Sequence, residues 1–117
     1  MVALGPYTAG LFSNSDVLAK KLLQSADSVS ESLWRLPLSN DLNKMMKSKI
    51  ADLKNSGARW GGSITAALFL QNFVLHKKKT WAHIDLAGPS YAESSSSLCP
   101  AGGTGYGVET LVSYLRS

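Results

Sequence analysis

A chain of 117 residues has room for one domain, and a domain of that size buries roughly two-thirds of its unfolded surface on folding. With 44% hydrophobic and 17% charged residues it belongs with globular chains, and its net charge of +4 is spread along the sequence instead of forming a nucleic-acid patch. The single cysteine, Cys99, excludes an intramolecular disulfide and fits a reducing compartment; no apolar run approaches the roughly 20 residues of a membrane span, and the first residues lack the basic flank of a signal peptide.

Residues 2–4 and 7–12 read as two short strands separated by Gly5-Pro6, where proline interrupts any ladder. Asn14 or Ser15 caps a helix with Asp16 in its first turn; Val17, Leu18, Leu22 and Leu23 share one face and Lys20, Lys21 and Gln24 the other. That helix covers a sheet, and its end dissolves into the polar stretch 25–32. Residues 33–38 are apolar with an internal proline, an extended connection more than a central strand. Ser39 or Asn40 caps a second helix whose Leu42, Met45 and Met46 are core filler and whose lysines 44, 47 and 49 favour its C-terminal end.

A short strand is expected at residues 50–53, followed by a loop with three glycines and a helix from Ile64 to Leu75 that is apolar around nearly its whole circumference and must therefore be buried. Gly61 and Gly62 open it; they either allow close helix packing or form the wall of a site. Lys77, Lys78 and Lys79 fit a solvated loop. Residues 80–87 form the best strand, with His83 and Asp85 on one face by period-two alternation, a pair that serves as hydrogen-bonded structural groups or as an acid–base or metal pair. Residues 88–103, rich in serine, are a loop by composition, and Val108, Leu111, Val112 and Leu115 mark a terminal helix.

Chemistry-bearing motifs are sparse. Gly103-x-Gly105-x-Gly107 is not a dinucleotide fingerprint and neither glycine cluster has a Walker lysine. Gly61-Gly62-Ser63-Ile64-Thr65 begins like a nucleophile elbow but ends in threonine, and Cys99 has no base beside it. The eight carboxylates, Asp16, Asp27, Glu31, Asp41, Asp52, Asp85, Glu93 and Glu109, each stand alone in their segments, whereas two-metal hydrolysis needs several that converge.

Several ordered blocks nevertheless carry a resemblance. Asp52-Leu53-Lys54-Asn55-Ser56-Gly57, Arg59-Trp60-Gly61-Gly62-Ser63-Ile64-Thr65-Ala66-Ala67 and Trp81-Ala82-His83-Ile84-Asp85-Leu86-Ala87-Gly88 resemble the C-terminal part of the leucine aminopeptidase (cytosol aminopeptidase, M17) family. Leu33-Trp34-Arg35-Leu36-Pro37-Leu38 and Gly103-Thr104-Gly105-Tyr106-Gly107-Val108 are similar to further blocks in the same order, so that the resemblance spans nearly the whole chain. It implies an α/β fold, a three-layer α/β/α sandwich with a mixed sheet that is incomplete in this chain. It also implies release of N-terminal amino acids from peptides by two divalent metal ions, manganese or zinc, in a cytoplasmic homo-oligomer of hexameric type; the spread charge and the lack of a membrane-length apolar run argue against nucleic-acid and membrane partners.

The family's metal ligands and catalytic residues, including its Asn-Thr-Asp-Ala-Glu-Gly-Arg block, have no counterpart among these residues. No catalytic or metal-binding role carries over, and the isolated chain is expected to be inactive, binding no metal and exposing apolar edges. What the resemblance does transfer is substrate-pocket wall: Ala87 and, a few positions on, Ser90 for the substrate side chain, and Ser56 on the leaving-group side. Ser90 and Ser56 stand where many relatives are apolar, which leaves a preference for a Leu-like side chain open. The competing expectations are a truncated paralogue that docks onto full-length subunits and a small basic nucleic-acid module.

Overall fold

The computed structural model describes residues 1–74 and 79–117; Leu75, Lys77 and Lys78 of the expectations above lie outside the described residues. The central element is β1 (Ala9–Ser13), whose five residues are all buried. It pairs in parallel with β2 (Leu33–Arg35), Ala9 opposite Leu33, and antiparallel with β3 (Ala82–Asp85), Leu11 opposite Ile84 and Phe12 opposite His83. A strand covered on both faces reads as an unbroken apolar run, which is what Ala9-Gly10-Leu11-Phe12 is. The mixed sheet expected from the resemblance is present with three strands.

Helices flank both faces. On one, α1 (Asp16–Ser28) lays Ala19 and Leu22 on Leu11, with Leu33, Ile84 and Tyr114 around them. Ser15 caps it, its hydroxyl accepting from the Leu18 N–H at 3.3 Å, and Asp16 occupies the first turn, where the helix dipole favours an anion. The helix runs to Ser28, further than its serines suggested, because Ser25 and Ala26 are buried against its neighbours and packing outweighs propensity. That neighbour is α3 (Val108–Arg116), which lies beside α1 with Ser28 and Ser113 hydroxyls 3.1 Å apart. On the opposite face, α2 (Gly62–Gln71) is tied to the sheet where the Ser63 hydroxyl donates to Asp85.

Five segments differ from what their sequence suggests. Residues 2–4 form a turn closed by the Gly5 N–H on the Met1 carbonyl at 2.8 Å, and residues 50–53 form bends with Ile50 fully exposed; neither finds a neighbouring strand, and β propensity without a ladder makes no strand. Residues Asn40–Met46 form a 3₁₀ helix, not an α-helix; Ser39 makes no side-chain cap bond, and the segment holds on through buried Met46. The loop 88–103 is closed at its base by a short hairpin of β4 (Tyr91–Ala92) and β5 (Gly102–Gly103). Finally, Val108, Leu111, Val112 and Leu115 of α3 face outward, while Thr110 is buried and Tyr114 joins the core. The apolar stripe that located the helix is not the stripe it buries.

Two glycines permit close approaches that fix this arrangement. Gly61, left-handed at φ 64°, ends the loop before α2 so tightly that a Cβ there would stand 2.9 Å from Leu42 Cδ1. Gly88, after β3, lies against the Gly5-Pro6 turn; a Cβ would stand 2.7 Å from the Gly5 carbonyl oxygen, so any larger residue must displace backbone.

Candidate functional site

The residues singled out by the sequence lie around the N-terminal end of α2 and the turn after β3. Ser56 is exposed in the loop before α2 and lines a pocket of about 410 Å³ between that loop, the 3₁₀ helix and α2. Met46, Ala66, Phe69 and Leu70 give the pocket its apolar side, and Lys54, Asn55 and Ser56 give it a polar rim. The loop is held against the helix by Gly57, whose missing side chain leaves room for Thr65, and by the Lys54 N–H on the Met46 carbonyl at 2.7 Å. Gly61 thus acts in close packing, and Gly62 lines the pocket, so the two readings of the pair divide between its members.

Ala87 and Ser90 lie outside that lining, on the turn between β3 and β4. The exposed Ala87 donates its N–H to Asp85 Oδ1 at 3.1 Å. Half-buried Ser90 donates its N–H to the Leu86 carbonyl at 3.1 Å and accepts at its own carbonyl from the Thr104 N–H at 3.0 Å. Thr104 also caps the turn, donating from its hydroxyl to the Pro89 carbonyl at 2.6 Å. The turn that carries Ala87 and Ser90 is therefore fastened from both ends, by Asp85 below and Thr104 above. Asp85 is also the link between the two groups, because its other oxygen accepts from Ser63 on α2.

The His83 and Asp85 pair is built for position. Asp85 spends both carboxylate oxygens on Ser63 and Ala87; partial burial works against its charge, yet the Ser63 and Ala87 hydrogen bonds, with smaller help from the amino terminus and His83, hold it below the usual carboxylate range. His83 stacks between Phe12, 6.0 Å away, and Trp81, 6.3 Å away. Burial lowers its basicity more than nearby Asp85 restores it, so it favours the neutral ring. Of the alternatives stated for the pair, the structural one matches this geometry, through hydrogen bonds at Asp85 and ring stacking at His83.

Two anchoring residues escaped the sequence reading. Glu31, in the turn after α1, accepts from the Gly107 N–H at 2.9 Å and from the Thr110 N–H at 3.1 Å, and the Thr110 hydroxyl donates to it as well. It caps α3 from 76 residues away, as a carboxylate at a helix N-terminus should. Its charge also adds to burial in raising the Tyr106 phenol above its usual range. Asn14 likewise bridges β1 to the segment before β3, accepting from the Trp81 N–H at 2.8 Å and donating to the Lys79 carbonyl at 2.9 Å. Both are long-range contacts with no local signature; only the fold brings them together.

Whether the carboxylates present could grip a metal pair is decided by their surroundings. Asp85 and Glu31 are committed as described and Asp16 pairs with Arg35 at 2.6 Å. Asp27, Asp41, Asp52, Glu93 and Glu109 are exposed. Among the described residues no three His, Cys, Asp or Glu side chains converge, whereas a metal pair needs several such donors around it.

Comparison with known proteins agrees with the geometry of the whole. The chain is 53% identical over 115 residues to a probable cytosol aminopeptidase of Cyanothece sp. strain PCC 7425, covering 98% of this chain and 23% of that protein. It is 52% identical over 117 residues to a probable cytosol aminopeptidase of Synechococcus elongatus, covering 100% and 24%. Among solved structures, a mutant of tomato leucine aminopeptidase superposes with a TM-score of 0.90 at 44% identity, over 100% of this chain and 22% of that one. The bottromycin maturation enzyme BotP, in complex with Mn, superposes with a TM-score of 0.92 at 41% identity, over 98% and 25%. The chain thus spans about a quarter of the length of these relatives. With residues 1–112 matching the profile of the cytosol aminopeptidase family, catalytic domain, the chain belongs to the cytosol aminopeptidase family.

Proposed function

We propose that these residues form scaffold and substrate-pocket wall of a metal-dependent aminopeptidase that releases N-terminal amino acids from peptides, and that the two-metal grip, for manganese or zinc, lies in the part of the family chain they do not cover. The observation that carries this is the state of the carboxylates: the two partly buried ones, Asp85 and Glu31, are bound to Ser63, Ala87, Gly107 and Thr110, and no cluster of donors is present among the described residues. The complex of BotP with Mn supports a divalent ion as the family's reagent. Held by residues of that other part, such ions would supply Lewis-acid chemistry toward the scissile carbonyl and the attacking water.

In that assembly the chain's own residues orient substrate. Ala87 and Ser90, on the turn pinned by Asp85 and Thr104, present a small, partly polar wall to the substrate side chain. Ser56, at the rim of the α2 pocket, faces the leaving group. The working form is proposed to be a homo-oligomer of the hexameric type, in the cytoplasm. The names of the relatives support that compartment, and among the described residues no helix is long and apolar enough to cross a membrane.

The first test is direct. The purified 117-residue chain, incubated with leucine p-nitroanilide and Mn²⁺, is expected to give no turnover above buffer, while the Synechococcus elongatus relative gives metal-dependent turnover under the same conditions. Metal-dependent hydrolysis by the short chain alone would place the cation grip within it and overturn the proposal.

A further inference from the structure

We propose that Asp85 is a positioning residue for substrate selection: by joining the turn that carries Ala87 and Ser90 to the first turn of α2, it sets the separation between the wall for the substrate side chain and the wall for the leaving group. Its two carboxylate oxygens are divided between those walls. Oδ1 accepts from the Ala87 N–H at 3.1 Å, two residues along the chain, and Oδ2 accepts from the Ser63 hydroxyl on α2. The first is a local turn bond of the kind aspartate makes wherever a chain bends. The second is not local, since Ser63 precedes Asp85 by 22 residues and belongs to a different layer. Hydrogen bonds to an ionised oxygen are shorter and stronger than neutral ones, so one side chain holds a strand, a turn and a helix in register.

From Ser63 the connection continues to the leaving-group wall. Buried Thr65 fills the space that Gly57 leaves open, where a Cβ would stand 3.0 Å from Thr65 Oγ1. Gly57 follows Ser56 directly, so Ser56 is carried by the same end of α2 that Asp85 grips. On the other wall, the Thr104 hydroxyl holds the Pro89 carbonyl at 2.6 Å and Gly88 packs on the Gly5 carbonyl, whereas at the Ala87 end the hold is the bond to Asp85. Without the Asp85 carboxylate each wall keeps its own anchors, but the distance between them is no longer fixed. Apolar pockets discriminate by roughly tenfold or more per methylene, and that discrimination depends on where the wall stands. This role rests on the proposed assignment of Ala87, Ser90 and Ser56 to the pocket wall and adds what sets their spacing.

The test uses the full-length Synechococcus elongatus relative with its matching segment replaced by these 117 residues, loaded with Mn²⁺ and assayed on leucine and alanine p-nitroanilide. Asp85→Ala is expected to raise KM for the leucine substrate at least about fivefold with kcat within about twofold, because wall contacts are made alike in ground and transition states. It also changes the leucine-to-alanine ratio of kcat/KM at least about threefold. Asp85→Asn keeps both values within about twofold of the unsubstituted chimera, since its amide oxygen still accepts from Ala87 and its NH2 donates to the Ser63 hydroxyl. Ser63→Ala moves both in the direction of Asp85→Ala by a smaller factor. Glu31→Ala, which removes the carboxylate at the start of α3, lowers the melting temperature without moving the ratio. A chimera without turnover is read by amide exchange over residues 85–91, about tenfold faster in Asp85→Ala and within about twofold of the reference in Asp85→Asn.

Unchanged KM and ratio in Asp85→Ala overturn the positioning role, as does unchanged exchange in a chimera without turnover. So does an Asp85→Asn variant as impaired as Asp85→Ala, which assigns the effect to charge instead of the tie, or a Ser63→Ala variant with no effect. A Glu31→Ala variant that moves the ratio as far, or a fall in kcat with KM unchanged, overturns it too. Ala87→Val separates this role from the assignment beneath it. If Ala87→Val leaves the ratio unmoved, the pocket-wall assignment itself fails; if it moves the ratio and Asp85→Ala does not, the role of Asp85 alone is lost.

Discussion

The two helices that sandwich the sheet, α1 and α2, are opposites in how far this chain satisfies them. α1 is amphipathic: Ala19, Leu22 and Ala26 are buried, Lys20, Lys21, Gln24 and Asp27 meet water, and α3 closes the flank. α2 is apolar around most of its circumference, yet only Thr65, Ala67 and Leu68 are buried and its remaining apolar residues stay partly or fully exposed. A sequence pattern states how much cover an element needs, and the structure states how much it receives. For α1 the two agree. For α2 they differ by one whole face.

The largest effect that sharpens this contrast comes from truncating one apolar side chain on each side. Leu11 is fully buried between β2, β3 and α1, so Leu11→Ala removes its contacts and leaves a cavity, costing about 3 kcal/mol. Phe73→Ala, a larger deletion by volume, is expected to change the stability of the isolated chain by less than about 0.5 kcal/mol because its ring is mostly in water. Urea unfolding of both variants reads the difference. If Phe73→Ala proves as costly as Leu11→Ala, the outward face of α2 is covered in solution and the contrast disappears.

That pair of outcomes also measures what was legible in the sequence. The helix expected from Ile64 to Leu75, found at Gly62–Gln71, was readable because its apolar density is a local property; the shortfall in its cover was not, because cover depends on what lies across from it. α3 shows the same limit in reverse. Val108, Leu111, Val112 and Leu115 correctly announced a helix, but its orientation is set by Thr110 bonding to Glu31 and by Tyr114 packing into the α1 cluster, so the announced stripe points outward. Residues 50–53 misled for a related reason: their propensity is for a strand, and they pair with no strand among the described residues. Of the candidate site, the alternation that put His83 and Asp85 on one face held, whereas Asp85 reaching Ser63 across the layers had no sequence signal.

A smaller effect probes how the covered side is locked. Glu31 satisfies the Gly107 and Thr110 N–H groups and the buried Thr110 hydroxyl, so Glu31→Ala strands three donors at the start of α3 and should cost about 2 kcal/mol. Glu31→Gln keeps one acceptor and should cost less. Hydrogen exchange distinguishes this from general destabilisation: in Glu31→Ala the amides of α3 lose protection first and those of α2 do not. Loss spread evenly over both helices would show that α3 is held by its apolar contacts alone.

The smallest effect belongs to the α2 side of the sheet, where His83 stacks on Phe12. Burial lowers the folded His83 below its ordinary value near 6.5, so as pH falls the unfolded chain takes up that proton first and the folded state loses stability. The loss begins as pH drops through the ordinary value and is complete once pH is below the lowered folded value. Asp85 does not enter this window, because its folded carboxyl is held below the carboxylate range and its own contribution fails only in stronger acid. The urea midpoint is therefore expected to fall modestly from pH 7.5 to pH about 5.5 in the wild-type chain and to fall less in His83→Gln; taking the difference between the two removes the other histidine, His76. On the α1 side of the sheet, Leu11, Ile84 and Leu33 offer nothing to titrate, so any such difference reports on the α2 layer alone.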